Sequence, residues 1–186
     1  MTLILTLANS TQVIQIFDRR LTSAGKIITD NANKAITFEC PDGRFAVGFT
    51  GLARSGQFNF EPWLVDALGK CAPPDFQIRE IIGRLASLLT TLFSTHPDIK
   101  LLPAFDRRLS VILSGYAISK CRERIGDVLI SNFQGFEATA ASTAQPEFQV
   151  FRCWNRSLQT VIRQLCTGSV LGPPCLNQAR RYFPTS

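Results

Sequence analysis

Histidine is almost missing from this sequence, and its scarcity removes several kinds of site. His96 is the only histidine among 186 residues. A metal centre built from several histidines is therefore excluded, and a Ser-His-Asp triad would have only this residue as its base. Because His96 directly precedes Pro97, a place at the end of a helix explains it more simply.

Paired cysteine motifs are also missing. Six cysteines stand at positions 40, 71, 121, 153, 166 and 175, and no two of them have C-x-x-C spacing. That pattern predicts neither a zinc site nor a dithiol redox centre. Since a chain of this length can form a hydrophobic core without disulfides, we expect free thiols in a cytoplasmic protein.

Charge and long apolar runs are scarce as well. Charged residues make up 18% of the chain, the net charge is +6, and the basic residues are scattered singly or in pairs. This pattern does not favour a nucleic-acid partner. No apolar run approaches the roughly 18 residues that span a membrane, and the N-terminus lacks the basic segment and cleavage site of a signal peptide. We therefore expect no membrane partner.

Hydrophobic residues are abundant instead. Hydrophobic residues make up 45% of the chain, and there are fourteen phenylalanines but only two tyrosines. This composition is typical of a folded domain with a large core. The length suits a single domain over residues 1–186.

The first part of the chain is predicted to form an antiparallel sheet of short strands. The candidate strands cover residues 3–7, 12–17, 27–28, 35–39 and 44–49. The polar turn Asn9-Ser10-Thr11 separates the first two, and Pro41-Asp42-Gly43 separates the last two, so each pair is a predicted hairpin.

Two helices and further strands follow. The first helix is predicted to open at Glu61-Pro62, because proline is tolerated in a first turn. The second has Asp75 as its predicted N-cap and an apolar stripe of 3.6-residue period over 78–93. Strands are predicted at 108–116, 127–132 and 147–154, a surface loop at 138–145, and a helix at 158–166. The order indicates an α+β fold, with helices stacked on an antiparallel sheet or sheets sandwiched between helix layers.

The N-terminal segment contains the residue types of an N-terminal nucleophile. If Met1 is removed, the hydroxyl of Thr2 can attack a carbonyl while its own α-amine accepts the proton. A nearby ammonium lowers the pKa of that amine, and Lys34 is the candidate. Asp18 would hold Lys34 in its charged form, and the backbone N–H of Gly48 would stabilise the oxyanion.

These residues also carry a resemblance. The matching positions are Thr2, Asp18-Arg19-Arg20, Lys34, Gly48 and Gly51. Their spacing resembles, without a gap, that of the N-terminal half of proteasome β-type subunits and the related bacterial peptidase HslV. The amino-acid sequence itself is most similar to an uncharacterised bacterial proteasome-like group. The likeness is good over residues 2–56 and coarse to about residue 116.

The resemblance implies a four-layer αββα sandwich of the N-terminal nucleophile (Ntn) hydrolases. It implies a threonine-type peptidase or another amide-bond hydrolase, with a peptide or amide substrate and the catalytic residues Thr2, Asp18, Lys34 and Gly48. It implies no metal or organic cofactor, and it implies homo-oligomeric assembly into a ring or stacked rings.

The second half of the chain departs from the family pattern. The Ser-Gly-Ser loop of the family, and its later Asp and Ser, cannot be located in this sequence, and the chain after Trp154 is short for two further helices and the final strands. A non-catalytic, proteasome-like assembly subunit is therefore the alternative function. A basic binding module is the third.

Each candidate residue has a simpler interpretation beside the catalytic one. Thr2 could be an ordinary strand residue behind a retained Met1. Asp18 and Lys34 could form a structural ion pair, and Gly48 could permit close packing or a bulge.

Overall fold

The computed structural model describes residues 2–9, 12–23, 26–119, 122–135, 143–155 and 161–167. The strands are β1 (Thr2–Ala8), β2 (Val13–Phe17), β3 (Leu21–Ser23), β4 (Lys26–Thr29), β5 (Ala35–Cys40), β6 (Gly43–Gly51), β7 (Arg54–Ser55), β8 (Phe58–Asn59), β9 (Leu109–Ser119), β10 (Arg122–Ser131), β11 (Gln149–Asn155) and β12 (Val161–Thr167). The helices are α1 (Phe60–Cys71), α2 (Ile78–Thr95) and α3 (Pro97–Lys100). None of these helices is long and apolar enough to cross a membrane.

Two antiparallel sheets dominate the described residues. The large sheet has five strands in the order β11-β10-β9-β6-β5, and the small sheet has three in the order β12-β1-β2. The hairpins predicted at both turns are present, because β1 pairs with β2 and β5 pairs with β6. Two short hairpins, β3–β4 and β7–β8, complete the sheet structure.

The helices cover one face of the large sheet. Alternating residues of β6, namely Phe45, Val47 and Phe49, enter the same buried cluster as the apolar stripes of α1 and α2. This pattern follows from the two-residue repeat of a strand and the 3.6-residue repeat of a helix. The cluster is the main core of the protein.

The small sheet packs on the other face of the large sheet. Ile4 of β1 lies in a buried cluster with Ile112 of β9 and Leu129 of β10, and Phe17 of β2 packs against it. The described residues thus form a helix layer, a five-stranded sheet and a three-stranded sheet. This confirms the α+β class with antiparallel sheets.

The helix predicted at 158–166 is wrong where the structure describes it. Residues 161–167 form β12, which pairs antiparallel with β1 from Ala8↔Val161 to Thr2↔Thr167. Without β12, this edge of β1 would present a row of unpaired N–H and C=O groups, and backbone pairing outweighs the weak helical periodicity of the segment. Residues 158–160, and the part of the predicted loop at 138–142, lie outside the described residues.

The predicted N-cap of the second helix is also wrong. Gln77, not Asp75, caps α2, and its side chain forms a reciprocal capping box with Glu80. Asp42, in the β5–β6 turn, adds a distant cap, because its Oδ1 accepts the Ile78 N–H at 2.8 Å. Asp42 and Ile78 are thirty-six residues apart in the sequence, so the local sequence around the helix could not predict this contact.

Replacing Asp42 with Ala should lower the free energy of unfolding by about 1–2 kcal/mol. The substitution leaves the Ile78 N–H without this acceptor and removes one of the two acceptors of the Cys40 thiol, which are Asp42 Oδ1 at 3.4 Å and the Gly43 carbonyl at 3.5 Å. Asp75→Ala is the matched control, since Asp75 is exposed and does not cap, and it should change stability by less than about 0.5 kcal/mol. Urea unfolding of both variants measures the difference, and a larger loss in Asp75→Ala would contradict the capping assignment.

Candidate active site

Two turns converge at the end of the sandwich where β1 begins. The first, residues 18–20, follows β2, and the second, residues 30–34, precedes β5. The backbone N–H of Ala32 donates to the carbonyl of Arg19 at 3.0 Å, and the Arg20 side chain pairs with Asp30 at 2.7 Å. These bonds hold the Asp18 and Lys34 segments side by side.

Lys34 is the most unusual charged residue of the site. Its side chain is only 3% exposed, and Nζ donates to the carbonyl oxygen of Arg20 at 2.7 Å. Burial lowers the pKa of Lys34 below its ordinary value, while the negative charge of Asp18 acts in the opposite direction. A buried ammonium would lower the pKa of any amine placed beside it, and ionisable groups with shifted pKa values are common at functional sites.

Asp18 is fixed by its own turn. Its Oδ1 accepts the backbone N–H of Arg20 at 2.9 Å. The backbone of Arg20 therefore bonds to both residues: its carbonyl accepts a hydrogen bond from the Lys34 ammonium, and its N–H donates one to the Asp18 carboxylate. Asp18 and Lys34 thus lie in two neighbouring turns that are both bonded to Arg20, and the predicted catalytic pair stays a prediction.

Thr2 begins β1, paired with Thr167 of β12. Further along β1, Ile4 clusters with Ile112, and Thr6 Oγ1 accepts the Ser114 hydroxyl at 3.5 Å. Continuing the same two-residue step along both strands, we expect position 2 of β1 to be level with Ser110. The prediction that Met1 is removed falls outside the described residues.

A pair of buried serines joins β9 to β10, and the sequence analysis did not find it. Ser110 is 1% exposed and Ser131 is 2% exposed, and the Ser110 hydroxyl donates to Ser131 Oγ at 2.7 Å. Ser131 Oγ also accepts the backbone N–H groups of Phe133 and Gln134, and the Gln134 amide donates to Ser110 Oγ at 3.1 Å. The only sequence signal was a serine at the end of each of two strands, which is too common to single out.

Gly48 lies inside the large sheet, opposite Ala35 on one side and Ile112 on the other. Its Cα faces the small sheet, and a Cβ added there would overlap the ring of Phe17. Close packing therefore accounts for glycine at this position. The oxyanion role of its N–H remains a prediction.

Gly48→Ala should lower the free energy of unfolding by about 1–3 kcal/mol, because the added methyl group forces the Phe17 ring out of its place. Gly83→Ala in α2 is the control, since nothing lies within 4 Å of its added Cβ and alanine favours a helix by about 0.5–1 kcal/mol. Adding Phe17→Leu to Gly48→Ala should recover part of the loss. Equal stability of Gly48→Ala and wild type in urea would exclude the close approach of Phe17.

Comparison with models of protein families, with curated proteins and with solved structures gives no significant match. Among the described residues, no group of three or more His, Cys, Asp or Glu side chains is placed to hold a metal ion.

Proposed function

We propose that this protein is an amide-bond hydrolase of the threonine-peptidase type, with Thr2 as nucleophile after removal of Met1. The observation that carries the proposal is Lys34. Its side chain is buried, and its ammonium donates a hydrogen bond to the Arg20 carbonyl. The negative charge of Asp18 acts to raise its pKa. The residue lies at the end of the sandwich where β1 begins. Burying a charge costs free energy unless the charge is paired and hydrogen-bonded, and buried ionisable groups with shifted pKa values cluster at functional sites.

The proposed reaction uses the two halves of Thr2. The hydroxyl oxygen adds to the amide carbon, and its proton passes to the α-amine. The Gly48 N–H would stabilise the oxyanion. When the C–N bond breaks, the leaving amine takes the proton back, and water then hydrolyses the ester to release Thr2.

Lys34 would act through its charge. A nearby ammonium lowers the pKa of the Thr2 amine, so more of it is free to accept a proton near neutral pH, and it also favours the developing negative charge. Asp18 would keep Lys34 charged. The buried Ser110–Ser131 pair would supply hydroxyl groups from the second half of the chain at the level of position 2.

The four-layer αββα sandwich belongs to the same proposal. The described residues supply one helix layer and two stacked sheets, and a second helix layer would lie on the outer face of the small sheet. Ile14 is 42% exposed and Ile16 is 53% exposed on β2, so this face has apolar surface to cover. Homo-oligomeric rings and a cytoplasmic location are further expectations of the proposal.

A non-catalytic assembly subunit is the second candidate. The observation in its favour is that close contact with Phe17 already explains Gly48, without an oxyanion role.

A panel of fluorogenic peptide amides, incubated with untagged protein and with Thr2→Ala, separates the two candidates. The hydrolase predicts cleavage that disappears in Thr2→Ala. Equal rates in both proteins, or no cleavage of any member of the panel, would favour the assembly subunit.

A further inference from the structure

A cavity of about 400 Å³ opens beside the candidate active site. It lies between the β3–β4 hairpin, the 31–33 turn and the beginning of α1. Two of its wall residues adjoin the turns that hold Lys34: Leu21 follows Arg20, whose carbonyl accepts the Lys34 ammonium, and Asn33 precedes Lys34. Phe49 belongs to the helix-covered face of β6, opposite the face on which Gly48 meets Phe17. A group bound in the cavity would therefore lie against the turns that hold Lys34.

The cavity wall carries opposite charges that do not neutralise each other. Arg54 and Glu61 both line it, and neither forms an ion pair within the part of the chain that the structure describes. A ligand that enters the cavity therefore meets a cationic donor and an anionic acceptor. When a ligand binds, both charged groups lose hydrogen bonds to water, so both must form hydrogen bonds to the ligand instead.

Asn59 adds a neutral polar group. It occupies the N-cap position of α1, its side chain makes no capping hydrogen bond, and it is one of the residues that line the cavity. Asparagine at an N-cap ordinarily accepts an N–H of the first helical turn. Its amide is thus left available for a ligand, close to the positive end of the helix dipole.

The geometry points to this cavity as a binding site for a primary carboxamide side chain, that of a glutamine or asparagine residue in the substrate. A carboxamide has a carbonyl oxygen for Arg54 and an NH₂ group for Glu61. A carboxylate would meet Glu61 with like charge, and an ammonium would meet Arg54. An aliphatic side chain would leave both charges desolvated and without partners.

The remaining wall fits the stem of such a side chain. Leu21, Ile28 and Phe49 provide apolar surface, against which the methylene groups of glutamine can pack. The substrate class so defined rests on the proposed hydrolase function, while the binding preference itself can be measured without any catalysis.

The test uses the full chain with Thr2→Ala, so that no bond is cleaved. Isothermal titration calorimetry compares acetylated tripeptide N-methylamides that end in Gln, Glu or Leu and are otherwise identical, so that only the Gln peptide carries a primary carboxamide. The Gln peptide should bind about tenfold or more tightly than the other two. Glu61→Gln should bring the Glu peptide within about threefold of the Gln peptide by removing the like charge.

Two further variants test the polar contacts. Arg54→Gln and Asn59→Ala should each weaken binding of the Gln peptide about tenfold while leaving the melting temperature unchanged. Arg79→Gln and Glu147→Gln, which change exposed residues outside the cavity wall, are the controls and should bind as the parent does.

Equal binding of the three peptides, or tightest binding of the Leu peptide, would overturn the inference. Its failure is distinguishable from failure of the hydrolase proposal. Cleavage that depends on Thr2 but shows no preference for Gln refutes only the cavity assignment. Selective binding of the Gln peptide without cleavage by the wild type refutes only the hydrolase.

Discussion

Thr2→Ala should reduce amide hydrolysis at least about a thousandfold, because the proposed mechanism loses the hydroxyl that would form the covalent intermediate while the α-amine and the fold remain. Thr2→Ser keeps a hydroxyl at the same atom and should retain activity within about tenfold. The steady-state rate on the best fluorogenic amide measures both. Circular dichroism melting provides the check that neither variant has lost its fold.

The comparison of the two variants is decisive. If Thr2→Ala and Thr2→Ser lose activity equally, the hydroxyl is not the nucleophile. If Thr2→Ala keeps the wild-type rate, the observed hydrolysis belongs to another site or to a contaminant, and the assembly-subunit interpretation becomes the better one.

Lys34→Met should lower kcat by a factor of about 10²–10⁴, since the proposed mechanism uses this positive charge to tune the Thr2 amine. Its stability at neutral pH should change little. The substitution removes the hydrogen bond to the Arg20 carbonyl, but it also removes a buried ammonium whose pKa is lowered by desolvation.

The pH dependence of stability gives a second readout for Lys34. Its folded-state pKa lies below the unfolded value of 10.5, so between those two values the unfolded chain binds more protons and the stability of the wild type rises with pH. Relative to Lys34→Met, the wild type should therefore gain stability as pH increases towards 10.5. A relative loss over that range would contradict the cause assigned to the shift, which is burial.

The local elements could be predicted from the sequence because their signals are contiguous. Pro41-Asp42-Gly43 defines the turn between β5 and β6, and the apolar stripe at 78–93 defines α2 within two residues at each end. The candidate pair Asp18 and Lys34 came from their spacing and a resemblance rather than from any local pattern, and its role stays a prediction.

The remaining features depend on contacts between distant segments. β12 is a strand because β1 offers it a pairing edge, and its own sequence gives no sign of that partner. Tertiary contacts likewise determine three other features: the Asp42 cap on α2, the Ser110–Ser131 hydrogen bond, and the Asn59 side chain that makes no capping hydrogen bond. Burial of Lys34 could not be read from its neighbours in sequence either.

The central claim is that the α-amine of Thr2 is free to act as the base. The intact mass of protein expressed without an N-terminal tag, with sequencing of its N-terminal peptide, tests this claim most directly. The hydrolase account predicts a mass lower by one methionine residue and a first residue of Thr2 with an unmodified amine. A chain that retains Met1, in which the amine is displaced from the hydroxyl, would contradict it.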